Sequence, residues 1–395
     1  MRFVRRCIFR ILIRRFPSST CKRLAEVCAI VLFHSLRLNE IDSEFHRRLS
    51  DTIEKVGPFV RDLTLSVDDR TDDEEDQPTH DVLSQLPNVR CLTVIHERED
   101  VADHSPLHQL VPRFSHLEEV TFYEDDYWPG WSLPHPHAAL PSPHARLTST
   151  FFHRFLHTIL KVHGNHLRGL HIYTVLLLDK EIYLKIRDNT PNLRSITFTA
   201  NIGSSLHGLF TDSTPWVSGS LDQIRLQSCR GVHMGHFARD LLAGVYGTSL
   251  KEVSVIACGP HDYEDTPYIP PVGTPARASI NRLRIDHFVM WGLSAMSFIP
   301  VRDLSLTQIC PQSFVELPIL LEKRSPDPGG VYLAFPGLEQ LRLSPKLASQ
   351  EKVARLDNTI LNAFQDLKGV CLRRGVALSL DADEHLISYG IDLVG

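Results

Sequence analysis

No apolar run in this chain approaches the roughly 20 residues needed to span a bilayer. No membrane-crossing helix is therefore expected. The 8 cysteines are scattered and never fall as C-x-x-C, which excludes a disulfide framework and a thiol-rich metal motif. Such usage suits a reducing compartment, the cytoplasm or the nucleus. A net charge of −5 lacks the basic excess of a general nucleic-acid binder. Also missing are G-x-x-x-x-G-K-S/T, a strand followed by G-x-G-x-x-G, and G-x-S-x-G. The expectation is a protein that is not an enzyme and uses no cofactor, no metal, no nucleic acid and no membrane.

What the chain does have is repetition. Leu221-x-x-Ile224-x-Leu226-x-x-Cys229 recurs as Leu250-x-x-Val253-x-Val255-x-x-Cys258, a step of 29 from Ile224 to Val253. This is the leucine-rich-repeat pattern L-x-x-L-x-L-x-x-N/C, within its usual period of about 20–29 residues. The alternating apolar residues point to one face of a short strand, and only stacked copies can bury that face. Copies begin at Phe33, Val60, Val89, Leu117, Leu167, Leu193, Leu221, Leu250, Ile280, Val301 and Leu338. Their fourth positions are Leu36, Leu63, Leu92, Val120, Leu170, Ile196, Ile224, Val253, Leu283, Leu304 and Leu341. Val376-x-Leu378-x-Leu380 reads as a last strand. The fold class expected is α/β: a leucine-rich-repeat solenoid, or horseshoe, with a parallel concave sheet, convex helices and a short helical N-terminal cap. Residues 1–41 would form the cap and first strand, and 42–395 the solenoid.

The connections carry their own signals. Helical spacing of apolar residues predicts helices at 42–56, 151–163, 178–188, 233–246 and 350–367. Residues 123–150 hold Trp128, Trp131 and a proline density that forbids helix or central strand, so they should leave the solenoid as a long loop. Asp68–Asp76 reads as a solvated acidic loop, and Pro260–Pro275 and Ser325–Gly330 as proline-rich loops.

Two features invite a chemical reading. His153 and His157 are spaced i, i+4, with His163 and His166 after them, as a helical metal pair would be. A zinc-protease helix needs Glu after the first histidine, and Arg154 stands there, so surface histidines are expected instead. Cys229 and Cys258 occupy the ninth, turn position, where buried inert thiols are expected.

A binding face is the stronger candidate. The third, fifth and seventh positions of each copy point away from the core. They place Tyr123, His171, Tyr173, Arg225, Arg284 and Arg342 along that face. Tyrosine and arginine are enriched in binding hot spots. The arginines suit an acidic or phosphorylated protein partner.

The first 16 residues hold six arginines with apolar residues between, and no acid appears before Glu26. A mitochondrial presequence can look like this. The apolar residues are too evenly spread for a clean face, and an ordinary amphipathic helix is expected. Next, Ser19-x-Cys21-Lys22-Arg23-Leu24 leads into Val31-Leu32-Phe33-x-Ser35-Leu36-Arg37-Leu38. This resembles the tail of an F-box as it runs into the repeats of fungal F-box/leucine-rich-repeat proteins. There a Ser-x-x-Cys-Lys/Arg-x-Leu helix precedes a Leu-Phe/Tyr-x-Ser-Leu-x-Leu strand. The family's opening Leu-Pro-x-Glu segment is absent, so either the F-box is truncated or degenerate, or the chain start is misplaced. The resemblance implies a substrate-recognition subunit of an SCF-type ubiquitin ligase that binds a protein substrate and the ligase adaptor subunit. A repeat scaffold that no longer docks the adaptor is the alternative. Cys21, Leu24, Leu32 and Phe33 would be the adaptor-docking remnant and would cover the open end of the repeats.

Overall fold

The structure, a computed structural model, describes residues 33–39, 53–68, 83–97, 111–124, 148–173, 180–199, 221–227, 234–256, 277–286, 293–309, 311–323, 334–345 and 358–380, save 55, 248 and 295. The chain divides into two compact units, Met1–Pro134 with Ala139–Leu176, and His135–Ala138 with Leu177–Gly395.

The first unit holds β1 (Ser35–Asn39), β2 (Asp62–Asp68), β3 (Cys91–Glu97), β4 (Glu119–Glu124) and β5 (Gly169–Tyr173). Each is hydrogen-bonded in parallel to the next, in chain order. The fourth positions meet across every pair: Leu36 on Leu63, Leu63 on Leu92, Leu92 on Val120, Val120 on Leu170. Alternation explains this, because a slip of one residue would turn each apolar set to the wrong face. Sixth positions Leu38, Leu65, Val94, Phe122 and Ile172 form the next buried row. First positions Val60, Val89, Leu117 and Leu167 form the row before, each at most 1% exposed.

The strands start in one recurring way. The carbonyl of the second position accepts two N–H bonds from the following copy: Arg61 and Asp62 to His34, Arg90 and Cys91 to Arg61, Glu118 and Glu119 to Arg90, Arg168 and Gly169 to Glu118. A repeated bond of this kind satisfies the groups where each chain segment enters the sheet.

The second unit holds β6 (Ser195–Thr199), β7 (Gln223–Gln227), β8 (Ser249–Ile256), β9 (Ser279–Asp286), β10 (Val301–Ile309), β11 (Gln340–Pro345) and β12 (Ala377–Leu380). These also pair in parallel and in chain order. Ile196, Ile224, Val253, Leu283, Leu304, Leu341 and Leu378 stand in register. Both runs of strands are open and neither closes into a barrel.

Among the described residues, five helices lie in return segments: α1 (Thr148–His163), α2 (Lys180–Asn189), α3 (Met234–Ala243), α4 (Pro311–Glu322) and α5 (Asn358–Arg374). The strands themselves match the sequence pattern, but several helix ends do not. α1 starts three residues before the predicted 151, inside the supposed loop. α3 stops at Ala243, not 246, because Gly244 takes φ +73° and ends the helix, although Val245 stays buried. α5 runs to Arg374, seven residues past the predicted end, because Val370 and Cys371 continue its buried stripe. It closes on Gly375 at φ +70°, with Val376 N–H on Cys371 O at 2.9 Å, a Schellman end. α4 has no counterpart among the predicted helices, and it carries Pro318 inside it. The described residues of the first unit also include short 3₁₀ turns at Gly57–Phe59 and Val111–Arg113.

Of the predicted 42–56 helix only its end, with buried Ile53 and Val56, lies among the described residues. The predicted loops 123–150 and 68–76 begin later than expected, since β4 runs through Tyr123 and Glu124 and β2 through Asp68. Their remaining residues up to 147 and 76, and the loops at 260–275 and 325–330, lie outside the described residues, as do Cys21, Leu24, Leu32, Cys229 and Cys258. Among the described residues, no helix is long and apolar enough to cross a membrane.

The histidine expectation needs one correction. His163 is buried, 3% exposed, and not on the surface. It closes α1, and its Nε2–H donates to Val111 O at 2.8 Å, tying the helix to the 3₁₀ turn 52 residues earlier. The acceptor is a carbonyl, so the proton sits on Nε2. Burial lowers this imidazole's pKa, opposed by the Val111 bond and aided by nearby His166. The folded state therefore disfavours the charged form. Its contribution to stability is complete above the unfolded value of about 6.5 and declines as pH falls below it. His163→Gln keeps a donor for Val111 and removes the titration. The melting temperature of the parent should fall more between pH 7.5 and 5.0 than that of H163Q. Equal falls would sink the assignment.

Candidate binding faces

In the first unit the outward rows are built from three positions per strand. The seventh-position row runs Ser66, Ile95, Tyr123, Tyr173. Tyr123 and Tyr173 stack with ring centroids 4.4 Å apart and planes 15° apart. Both rings are half-buried, and Ile95 beside them is only 3% exposed. The fifth-position row runs Arg37, Thr64, Thr93, Thr121, His171, so β-branched residues fill the middle.

His171 and Glu119 meet one row over. His171 Nε2 lies 3.5 Å from a Glu119 carboxylate oxygen, an ion pair whenever the ring is protonated. Gly169 makes the room: a Cβ there would stand 2.8 Å from Glu119 Cγ and 3.2 Å from His171 Nε2. Burial, and then Asp62, raises the Glu119 carboxyl pKa. Burial, followed by Glu119 and Asp62, pushes the Cys91 thiol up to about 12. Cys371 is likewise pushed to about 11 by burial, against the pull of Arg374. Both thiols stay protonated and are poor nucleophiles.

The second unit presents a different face. Its fifth-position row reads Thr197, Arg225, Ser254, Arg284, Ser305, Arg342, Ser379, one residue from each of β6–β12. Arginine and a small hydroxyl residue alternate along seven strands. Like charges directly opposite on adjacent strands repel, and the intervening Ser or Thr keeps the guanidinium stems two strands apart. Thr197 and Ser254, on either side of Arg225, are only 3% and 2% exposed.

The three arginines are not equivalent. Arg342 is committed to Asp303, with Nη2 at 3.1 Å and Nε at 3.3 Å, and also donates to Gln340 at 2.9 Å. Asp303 holds Arg282 too, at 3.3 Å. Among the described residues, Arg225 and Arg284 have no ion-pair partner. Arg225 Nε is buried and has no acceptor. A buried charged donor left without an acceptor is costly, and an incoming carboxylate relieves it only if the half-buried Arg225 side chain turns outward.

Tyr123, His171 and Tyr173 thus come together in the first unit, and Arg225, Arg284 and Arg342 share one row of the second. Phe33 is half-buried, just ahead of β1. His153 is half-buried and edge-on to Phe152 at 6.1 Å, while His157 is exposed. Among the described residues, no group of three or more His, Cys, Asp or Glu could hold a metal ion. The outward positions read off the sequence omit Ser305 and Ser379. The step of 21 from Leu283 to Leu304 is shorter than the steps of 28, 29 and 30 before it, and β12 lacks the first apolar position. Listing every fifth position against its fourth would have exposed the alternation. Compared with known proteins, the chain matches no protein-family model and no curated protein.

Proposed function

We propose that this chain is a leucine-rich-repeat horseshoe that binds another protein through the concave face of its strands and carries out no chemistry of its own. The single observation behind this is the arginine row, in which, among the described residues, Arg225 and Arg284, two strands apart in register, have no ion-pair partner. Arginine presents a planar fork of donors suited to acidic groups, and arginine and tyrosine dominate binding hot spots. The stacked Tyr123 and Tyr173 add a second anchor of low conformational cost on the first unit.

The resemblance of residues 17–41 to an F-box gives the bound protein a fate. On this reading the chain is the substrate-recognition subunit of an SCF-type ubiquitin ligase, in the cytoplasm or nucleus. Cys21, Leu24, Leu32 and Phe33 are then what remains of its contact with the adaptor. The test is co-expression of the full chain with the adaptor subunit of such ligases, followed by gel filtration. Co-elution is expected, weakened by Leu24→Asp in a chain whose melting temperature is unchanged. An adaptor that elutes apart would sink the ligase reading and leave a protein-binding scaffold.

A further inference from the structure

The spacing of the arginine row carries more than its charge. Adjacent strands lie about 4.8 Å apart, so Arg225, Arg284 and Arg342, on every second strand, repeat at about 9.6 Å. A ligand that meets them must present acidic groups on one side at that interval. An extended β-strand does not, because its same-side residues recur at about 6.6 and 13.2 Å. An α-helix comes nearer with residues i and i+7, about 10.5 Å apart. A polyproline-II segment fits best: it turns once in three residues with a rise of about 3.1 Å, so residues i, i+3 and i+6 share a side at about 9.3 Å.

We infer that the second unit binds an acidic peptide in the polyproline-II form, with Glu or Asp at every third residue, laid across β7–β11. The inference deepens the proposed protein-binding function and rests on it. Arg225 and Arg284 grip successive carboxylates, and the third reaches Arg342 in competition with Asp303. Carboxylate is favoured because the same face already pairs Arg342 with a carboxylate through two nitrogens. A continuous polyanion such as nucleic acid is disfavoured. Glu252, Asp286 and Asp303 stand in the flanking rows, so only the central row carries positive charge with no acid in it. Ser305, half-buried between Arg284 and Arg342, offers a hydroxyl to a peptide backbone, which in polyproline II has no internal hydrogen bonds.

The test measures binding of labelled peptides to the full chain by fluorescence anisotropy at physiological ionic strength. The probe is four repeats of Glu-Pro-Pro. Its controls are the same residues with the glutamates clustered, Gln-Pro-Pro repeats, a phosphoserine version, a helical peptide with Glu at i and i+7, and a single-stranded oligonucleotide. The Glu-Pro-Pro probe should bind about tenfold tighter than the clustered or neutral peptide. Arg225→Ala and Arg284→Ala should each weaken it about tenfold, and Arg225→Lys should recover only part, since an ammonium cannot grip with two parallel bonds. Arg282→Ala, outside the row, should change it little. Each variant is checked by its melting curve. If the arginine substitutions weaken all peptides alike whatever the glutamate spacing, the periodicity is wrong and the protein-binding face stands. If they weaken none, the face itself is wrong. Preference for the helical peptide, the phosphopeptide or the oligonucleotide would overturn the inference in favour of that ligand.

Discussion

Ile224→Asp should abolish cooperative unfolding of the second unit, or lower its melting temperature by far more than any substitution on the outward face. Ile224 is 3% exposed on β7, flanked in register by Ile196 and Val253. Loss of its burial costs roughly 1.5–3 kcal/mol. A carboxylate in its place has no partner in this apolar row, and desolvating it adds several kcal/mol more or forces it to protonate. Whole domains are stable by only about 5–15 kcal/mol. The neighbouring residue supplies the control. Arg225 points to the other side, and Arg225→Gln should stay within about 1 kcal/mol of the parent. Thermal and urea melts of the two variants read the register directly. An Ile224→Asp protein that melts like the parent would mean that the strand faces are assigned the wrong way round.

That register was legible because its cause is local. A strand with one buried face must alternate, and stacked strands must repeat the alternation at the same offset. So Leu36 through Leu341 could be read from the sequence one at a time, and all the paired ones meet. The helix ends were less legible. Gly244 and Gly375 both end helices at positive φ, yet Gly369 sits inside α5 without breaking it. The difference is the apolar stripe, which continues past Gly369 to Val370 and Cys371 and makes burial outweigh the glycine's cost of about 1 kcal/mol. His163 was illegible for another reason. Its partner is a backbone carbonyl 52 residues away, and no side-chain pattern marks a carbonyl.

The outward face shows the same division. Which residues point outward follows from the strand period, and Tyr123, Tyr173, Arg225 and Arg284 could be named from it. Which of them are already occupied does not follow. Arg342 and Arg225 look alike in sequence, one on each side of Arg284. Only the structure shows that Asp303 takes one and leaves the other's Nε buried with no acceptor. On the preceding strand Asp303 lies diagonal to Arg342, whereas Ser195 holds that place beside Arg225, and Glu252 on the following strand makes no ion pair with Arg225. Ser195 there bonds Gln223 at 3.1 Å. A diagonal acid does not by itself commit an arginine, since Arg284 has Glu252 and Asp303 diagonal to it and pairs with neither; which arginine each acid takes is a property of the stack.

In the first unit the largest loss should come from Phe122→Ala. Phe122 is the sixth position of β4, 2% exposed, between Val94 and Ile172 in register. Its ring lies 4.7 Å from that of Phe152 and 6.0 Å from that of Phe155, both on α1. Removing it empties the contact by which the strand holds the helix. Phe→Ala in a packed core costs about 3–5 kcal/mol, from lost transfer and the cavity left behind. Tyr123, one residue on, faces the other way and stacks on Tyr173. Its replacement by Ala should cost less, about 0.5–1.5 kcal/mol for the aromatic pair plus the partial burial of a half-exposed ring. Phe122→Leu should recover most of the loss, since it refills much of the volume without restoring the ring contacts. Guanidinium-chloride titrations of the three variants give the order: Phe122→Ala far below, Phe122→Leu between, Tyr123→Ala nearest the parent. If Tyr123→Ala proves as damaging as Phe122→Ala, the tyrosine pair is part of what holds the unit together. It could not then be stripped to test binding without losing the fold that presents it.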